Sequence, residues 1–248
     1  MIGIIGFGRF GKLVAHYLAR DLEVFVYNRS DKSSEITRTG AHPASLDTVC
    51  GQDIVIPCVP ISTFRENLKS IAPLLKPHSL VIDVCSVKEY PVQWMLEELP
   101  DSVAILATHP MFGPDSAADS LKDRKICLCR ARVPEKQYNK IKKYLVSKGL
   151  IVIEATAREH DEQIATSLSL THLIGRTLSE SGAVPLDIDT EGYKRLLRIL
   201  EVVERDTWQL FVDMHRYNPY ARKRRIEFMD VMQELNSRLE QGDRVDEL

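Results

Sequence analysis

The 248-residue chain has no apolar stretch approaching a membrane span, and without about twenty consecutive apolar residues a helix cannot cross a bilayer. Its opening run, Met1-Ile2-Gly3-Ile4-Ile5, lacks a charged leader region and a cleavage site, so a cytoplasmic location is expected. An excess of charge of one sign is missing too. The 33 Lys and Arg stand against 35 Asp and Glu, a net charge of −2, which supplies no global attraction for nucleic acid. The basic run Arg222-Lys223-Arg224-Arg225 reads as a solvated helix face. Five cysteines, an odd number without paired metal-ligand spacing, argue against a disulfide framework and suit reduced thiols. Cys127 and Cys129 alternate within an apolar run, so they belong to one face of a strand, and no metal site is expected. What is present, 44% hydrophobic and 27% charged residues, excludes disordered, collagen-like and coiled-coil classes and leaves an ordinary globular chain.

Short apolar runs alternate with amphipathic stretches up to about residue 155, the pattern of βαβ units that bury a parallel sheet between helices. Strands are expected at Ile2–Ile5, Val24–Tyr27, Ile54–Ile56, Leu80–Val84, Ala104–Ala107, Ile126–Cys129 and Ile151–Ile153, with helices near 9–20, 62–75, 88–98 and 134–147. Beyond Thr156 glycines become sparse and three long periodic stretches follow, near 157–182, 190–216 and 219–241. The fold expected is an α/β protein: a doubly wound, Rossmann-like sheet over 1–155 followed by an all-helical domain over 156–248. The helical stripes Leu168, Leu170, Leu173, Ile174 and Leu196, Leu197, Ile199, Leu200, Val203 carry more apolar surface than so few helices enclose. A homodimer formed through the helical domain is therefore expected.

Gly6-Phe7-Gly8-Arg9-Phe10-Gly11 is a G-x-G-x-x-G that follows the first strand and opens the first helix. In that context the first glycine makes a tight turn, the second lets the backbone approach a pyrophosphate, and the third allows close helix–strand packing. The second strand ends in Asn28-Arg29-Ser30, and Asp31 comes too late to hold the two ribose hydroxyls that an NAD site usually meets with a carboxylate. Arg29, Ser30 and Lys32 instead suit a 2′-phosphate, which favours NADP over NAD.

Three further segments narrow the reading. Asp53-Ile54-Val55-Ile56-Pro57-Cys58-Val59-Pro60 and Asp83-Val84-Cys85-Ser86-Val87-Lys88 end successive strands; Thr108-His109-Pro110-Met111-Phe112-Gly113-Pro114 follows the next; and Glu159-His160-Asp161-Glu162 precedes Ser169-Leu170-Thr171-His172-Leu173. Together they resemble the prephenate/arogenate dehydrogenase family of tyrosine biosynthesis, over residues 1 to about 222. The part from Gly192-Tyr193 to Arg216-Tyr217-Asn218 is similar to the plant-type arogenate enzymes. In an open α/β sheet, loops leaving the carboxyl ends of the strands line the ligand crevice, so Cys58, Pro60, Ser86 and His109 are expected at the nicotinamide end of the cofactor.

The resemblance implies oxidative decarboxylation of a cyclohexadienyl alcohol: hydride leaves C4, the C4 hydroxyl loses its proton, and C1 loses carbon dioxide. His109 is then the base or acceptor at the C4 hydroxyl, and Ser86 hydrogen-bonds that hydroxyl or the imidazole. Thr108, Met111, Gly113, Asp119, Thr171 and His172 fall on the substrate side, while His160 suits a surface partner of neighbouring acids equally well and is not counted among the catalytic residues. Prephenate enzymes of the family hold a carboxylate with the arginine of a Gly-Phe-Arg string. Here the string is Gly192-Tyr193-Lys194, with Arg195 one place later, and lysine cannot reproduce the guanidinium fork. Asp119 would suit the ammonium of arogenate, so arogenate leads prephenate. Two other readings stay open. One is an NADP-dependent β-hydroxyacid dehydrogenase or imine reductase, and the other a non-catalytic NADP sensor.

Overall fold

The computed structural model describes residues 1–241. Eight strands form one sheet in the order β3-β2-β1-β4-β5-β6-β7-β8. They are β1 (Ile2–Ile5), β2 (Val24–Tyr27), β3 (His42–Pro43), β4 (Ile54–Pro57), β5 (Leu80–Asp83), β6 (Ala104–Pro110), β7 (Lys125–Arg132) and β8 (Ile151–Glu154). The helices of this part are α1 (Arg9–Leu18), α2 (Ser33–Arg38), α3 (Leu46–Cys50), α4 (Ile61–Ile71), α5 (Glu89–Glu98) and α6 (Glu135–Ser147). Strand order reverses between β1 and β4, the switch point at which doubly wound sheets open a crevice beyond their carboxyl ends.

Strands β1 to β6 are parallel, but β7 runs antiparallel to β6, pairing His109 with Cys127 and Pro110 with Ile126. The sheet is therefore mixed rather than wholly parallel, and β6 extends through Pro110 where the sequence pattern stops at Ala107. His109 accordingly lies within a strand rather than in the loop after it. Antiparallel pairing explains the extension, because the returning β7 supplies a continuous ladder to a segment that no parallel neighbour reaches.

Two buried clusters hold this part together. One joins Ile2, Ile4, Val24 and Val26 of the sheet to Ala15 of α1 and Ile36 of α2. The other joins Leu80, Leu106, Ile126 and Leu128 to Tyr138 of α6. On α4 the residues Ile61, Phe64, Leu68 and Ile71, spaced three and four apart, are all buried. Burying each such side chain contributes about 1.5–3 kcal/mol of transfer free energy.

The chain divides into two compact units, Met1–His160 and Asp161 onward. Helix α7 (Ala157–Ile164) runs across that point and continues through a π-helical turn (Ala165–Leu170) into α8 (Thr171–Glu180). Then follow α9 (Glu191–Val203), α10 (Trp208–Arg216) and α11 (Ala221–Gln241). The periodic stretch near 190–216 is thus two helices. The Thr207 side chain accepts from the Leu210 N–H at 3.2 Å and so starts a new helix there. In the basic run, Lys223 and Arg224 pair with Glu227 along α11, while Arg225 turns to His215 Nδ1 at 3.3 Å. No helix among the described residues is long and apolar enough to cross a membrane.

Candidate active site

The turn between β1 and α1 is shaped by its glycines. Gly6 has φ of +96°, and a Cβ there would stand 2.5 Å from the Cys58 carbonyl oxygen, so only glycine fits. At Gly11 a Cβ would stand 2.1 Å from the Gly6 carbonyl oxygen. At Gly8 it would meet nothing within 4 Å, and no side chain caps the helix that starts there. Open space in front of an uncapped helix N-terminus fits a dinucleotide pyrophosphate, which takes hydrogen bonds from outward backbone N–H groups.

The other residues expected around the cofactor divide into braces and exposed groups. Phe7 is a core residue, and its N–H donates to Asn28 Oδ1 at 2.9 Å. The Asn28 amide donates in turn to the Ser30 carbonyl at 2.9 Å and to Ser30 Oγ at 3.0 Å, so Asn28 braces the turn. Arg29 and Ser30 are exposed, and Lys32 Nζ reaches the Phe7 carbonyl at 3.4 Å. Asp31 accepts from Ser33 N and Oγ at 2.9 and 2.7 Å, bonds that hold its carboxyl below the usual range. Arg9 pairs with Asp115 at 2.6 Å, and Phe10 is half-buried. Cys58 follows β4, where burial pushes its thiol up to about 12 and so keeps it neutral; Pro60 starts α4.

Beside the turn, the ends of β5 and β6 are tied by a buried ion pair. Asp83 and Lys88 are both fully buried and bonded to each other. Lys88 Nζ also donates to the Thr108 carbonyl at 2.6 Å. Asp83 accepts from Cys85 N at 2.7 Å and Thr108 N at 3.3 Å, and its carbonyl accepts from Thr108 Oγ1 at 2.7 Å. The Thr108 side chain, expected on the substrate side, is thus engaged within the protein. Sequence reasoning quoted Asp83 and Lys88 in the strand-end string but gave them no role. The available signal was two opposite charges five residues apart in an otherwise apolar string.

His109 and Ser86 stand on this frame. His109 is 6% exposed, and its Nδ1 lies 2.8 Å from His160 Nε2, with the two rings edge to face. Burial, and secondly the charges of His160 and Lys88, hold the His109 pKa well below the ordinary histidine value, so the ring is neutral near pH 7. His160 is 3% exposed, not a surface residue, and it occupies Nδ1 of the His109 imidazole. Ser86 Oγ is buried without a hydrogen-bond partner, and α5 begins at Glu89 with no side-chain cap, so Ser86 does not cap it. An unmade bond to a buried hydroxyl costs about 1–3 kcal/mol. Met111 and Asp119 are exposed after β6, and Gly113 N donates to Ser116 Oγ at 3.0 Å.

In the second unit His172 is 2% exposed on α8. Its Nδ1 has no partner, its Nε2 lies 3.8 Å from Asp206 Oδ2, and burial lowers its pKa to about 4. Ser169 Oγ, in the adjoining π-helical turn, is likewise unpartnered. Such turns recur at functional sites. Thr171 Oγ1 donates to the Ser167 carbonyl at 3.0 Å, and Lys194 and Arg195 are exposed beside Asp189 and Glu191. An apolar cavity of about 450 Å³ lies between α1 and α6 over Ile54, Ile82 and Val84; neither His109, Ser86 nor the glycines line it, so it is not the centre of the chemistry.

Among known families, the one described as "Prephenate dehydrogenase, nucleotide-binding domain" matches residues 19–154, and "TYRAAT1-like, C-terminal domain" matches residues 177–248. The chain belongs to the prephenate dehydrogenase family. Arogenate dehydrogenase 2, chloroplastic, of Arabidopsis thaliana is 32% identical over 97% of the chain, which spans 71% of that relative. Arogenate dehydrogenase 1, chloroplastic, of the same plant is 31% identical over 96% of the chain, which spans only 39% of it. Two solved members share the fold. Prephenate dehydrogenase from A. aeolicus, in complex with hydroxyphenyl propionate and NAD+, superposes with a TM-score of 0.78 at 20% identity, covering 97% of this chain and 91% of that one. Synechocystis arogenate dehydrogenase superposes at 0.72 with 20% identity, covering 97% and 92%. The family match and the glycine turn agree on the nucleotide-binding domain of a dehydrogenase.

Proposed function

We propose that the protein catalyses the NADP-dependent oxidative decarboxylation of a cyclohexadienyl acid, arogenate to tyrosine ahead of prephenate to 4-hydroxyphenylpyruvate. The observation that carries this reading is His109, a neutral buried imidazole with Nδ1 facing His160, on the strand next to the one that leads to the unpartnered Ser86 hydroxyl. Both strands leave the sheet at the edge where the Gly6–Gly11 turn opens.

A nicotinamide dinucleotide held at the Gly6–Gly11 turn would supply the acceptor for the hydride that leaves C4 of the ring. His109 Nε2 takes the proton of the C4 hydroxyl, relieving charge on that oxygen as the carbonyl character grows. Ser86 Oγ hydrogen-bonds the same oxygen and fixes its direction. Asp119 holds the ammonium of the side chain, with Met111 and Gly113 along the approach. Loss of carbon dioxide from C1 then aromatises the ring and makes turnover effectively irreversible. Arg29, Ser30 and Lys32, with Asp31 held by Ser33, favour a 2′-phosphate. The exposed Ile226, Met229, Met232, Leu235 and Leu239 of α11 support a homodimer through the helical part.

Asp119→Asn tests the substrate assignment. The kcat/KM for arogenate is expected to fall by about tenfold, the worth of a charge-assisted hydrogen bond at an exposed site, with prephenate little changed. An unchanged preference removes Asp119 from the reading, and a parent enzyme that turns over neither acid overturns the reading itself.

A further inference from the structure

We propose that His160 is a positioning residue for His109: its Nε2 accepts from His109 Nδ1–H and thereby fixes the tautomer that leaves a lone pair on His109 Nε2. The inference deepens the proposed reaction and rests on it.

Two imidazole nitrogens 2.8 Å apart share one proton, so one ring donates and the other accepts. If His160 donated, His109 would carry its own proton on Nε2 and could not take another there from a hydroxyl. If His160 accepts, His109 Nε2 is free to do so. After the transfer the proton sits on Nε2 and the resulting imidazolium still donates Nδ1–H to His160, so its charge is met by a hydrogen-bond acceptor in a buried place. No proton leaves the pair during the step. The titratable groups acting on His109 are His160 on α7 and Lys88 ahead of α5.

Local structure holds His160 for this task. Thr156-Ala157-Arg158-Glu159 forms a reciprocal cap at the start of α7: Thr156 Oγ1 accepts from Glu159 N at 3.1 Å and Glu159 Oε2 accepts from Thr156 N at 2.8 Å. The preceding Ala155 N–H donates to the Leu128 carbonyl of β7, the strand paired with β6. The first turn of α7, and His160 with it, is thereby fastened to the strand pair that carries His109. A buried histidine in hydrogen-bond contact with a second buried histidine costs conformational and solvation free energy that packing alone does not require.

The tautomer can be read directly. In the intact protein, ring ¹⁵N chemical shifts, assigned by comparison with His109→Ala and His160→Met, are expected to show His109 protonated on Nδ1 and bare on Nε2. The reverse pattern overturns the proposal whatever the substrate turns out to be. In kinetics, His160→Met keeps volume without an acceptor, and kcat is expected to fall on the order of 10²-fold while KM and dinucleotide binding stay within about threefold. His160→Gln restores an acceptor near the same place and is expected to recover most of that loss. Methionine and glutamine variants equally impaired, or both as active as the parent, contradict the role; if the methionine variant fails to fold, the ¹⁵N pattern of the parent decides. Loss of activity in every protein including the parent, with the expected ¹⁵N pattern intact, counts against the proposed reaction and not against the pairing.

Discussion

His109→Ala is expected to retain dinucleotide binding while turnover falls by about 10²–10⁴-fold, the range over which a positioned general base acts. The size of the effect follows from how His109 is held. It is buried in β6 at the strand-end crevice, its pKa lies well below the ordinary value, and Nδ1 faces His160, which leaves Nε2 as its group for the substrate. Water cannot simply replace it, because alanine removes the acceptor and leaves His160 Nε2 without this partner in a buried place. The nucleotide turn depends instead on Gly6, Gly8, Gly11 and Asn28, so affinity for the dinucleotide should change little. Fluorescence titration with reduced cofactor beside steady-state turnover separates the two effects. Turnover within tenfold of the parent would assign the proton to another group.

Lys88→Met is expected to destabilise the fold by about 3–5 kcal/mol, the cost of leaving one member of a buried ion pair alone. Asp83 would keep its bonds from Cys85 N and Thr108 N but lose its Lys88 partner, with no water to replace it at full burial. The Thr108 carbonyl would lose its bond from Lys88 as well, freeing the strand end that carries His109. Pairing Lys88→Met with Asp83→Asn removes both charges, so the double variant should be more stable than the sum of the two single losses implies. Urea denaturation of the parent, the singles and the double measures this cycle. Strictly additive losses would mean that the pair carries no coupling.

Regular parts of the fold were legible because local pattern and final environment agree. Ile2–Ile5 and Val24–Tyr27 are strands with the bounds read from their apolar runs, and the helix expected near 134–147 is α6. Helix α2, with six residues, and β3, with two, are too short to show a period, and both were missed. The strand at Ile126–Cys129 was legible within β7, but its antiparallel direction was not, because apolar alternation carries no sign of strand direction. At the site, the glycine turn and the motif-bearing strand ends were readable, since each group's surroundings lie within a few residues. The partnership of His109 with His160 was not, because fifty-one residues separate them and only the packing of α7 brings them together. The bonds of the Asn28 amide to Phe7 and Ser30 were not legible either; a sequence shows a polar group but not its direction.

The central claim, oxidative decarboxylation with a preference for arogenate and NADP, is tested most directly by steady-state assay of the parent protein with arogenate or prephenate, each with NAD or NADP, following reduced cofactor and carbon dioxide together. The account predicts the highest kcat/KM for arogenate with NADP, with reduced cofactor and carbon dioxide formed one for one. Reduced cofactor without carbon dioxide, or no turnover in any of the four combinations, would contradict it.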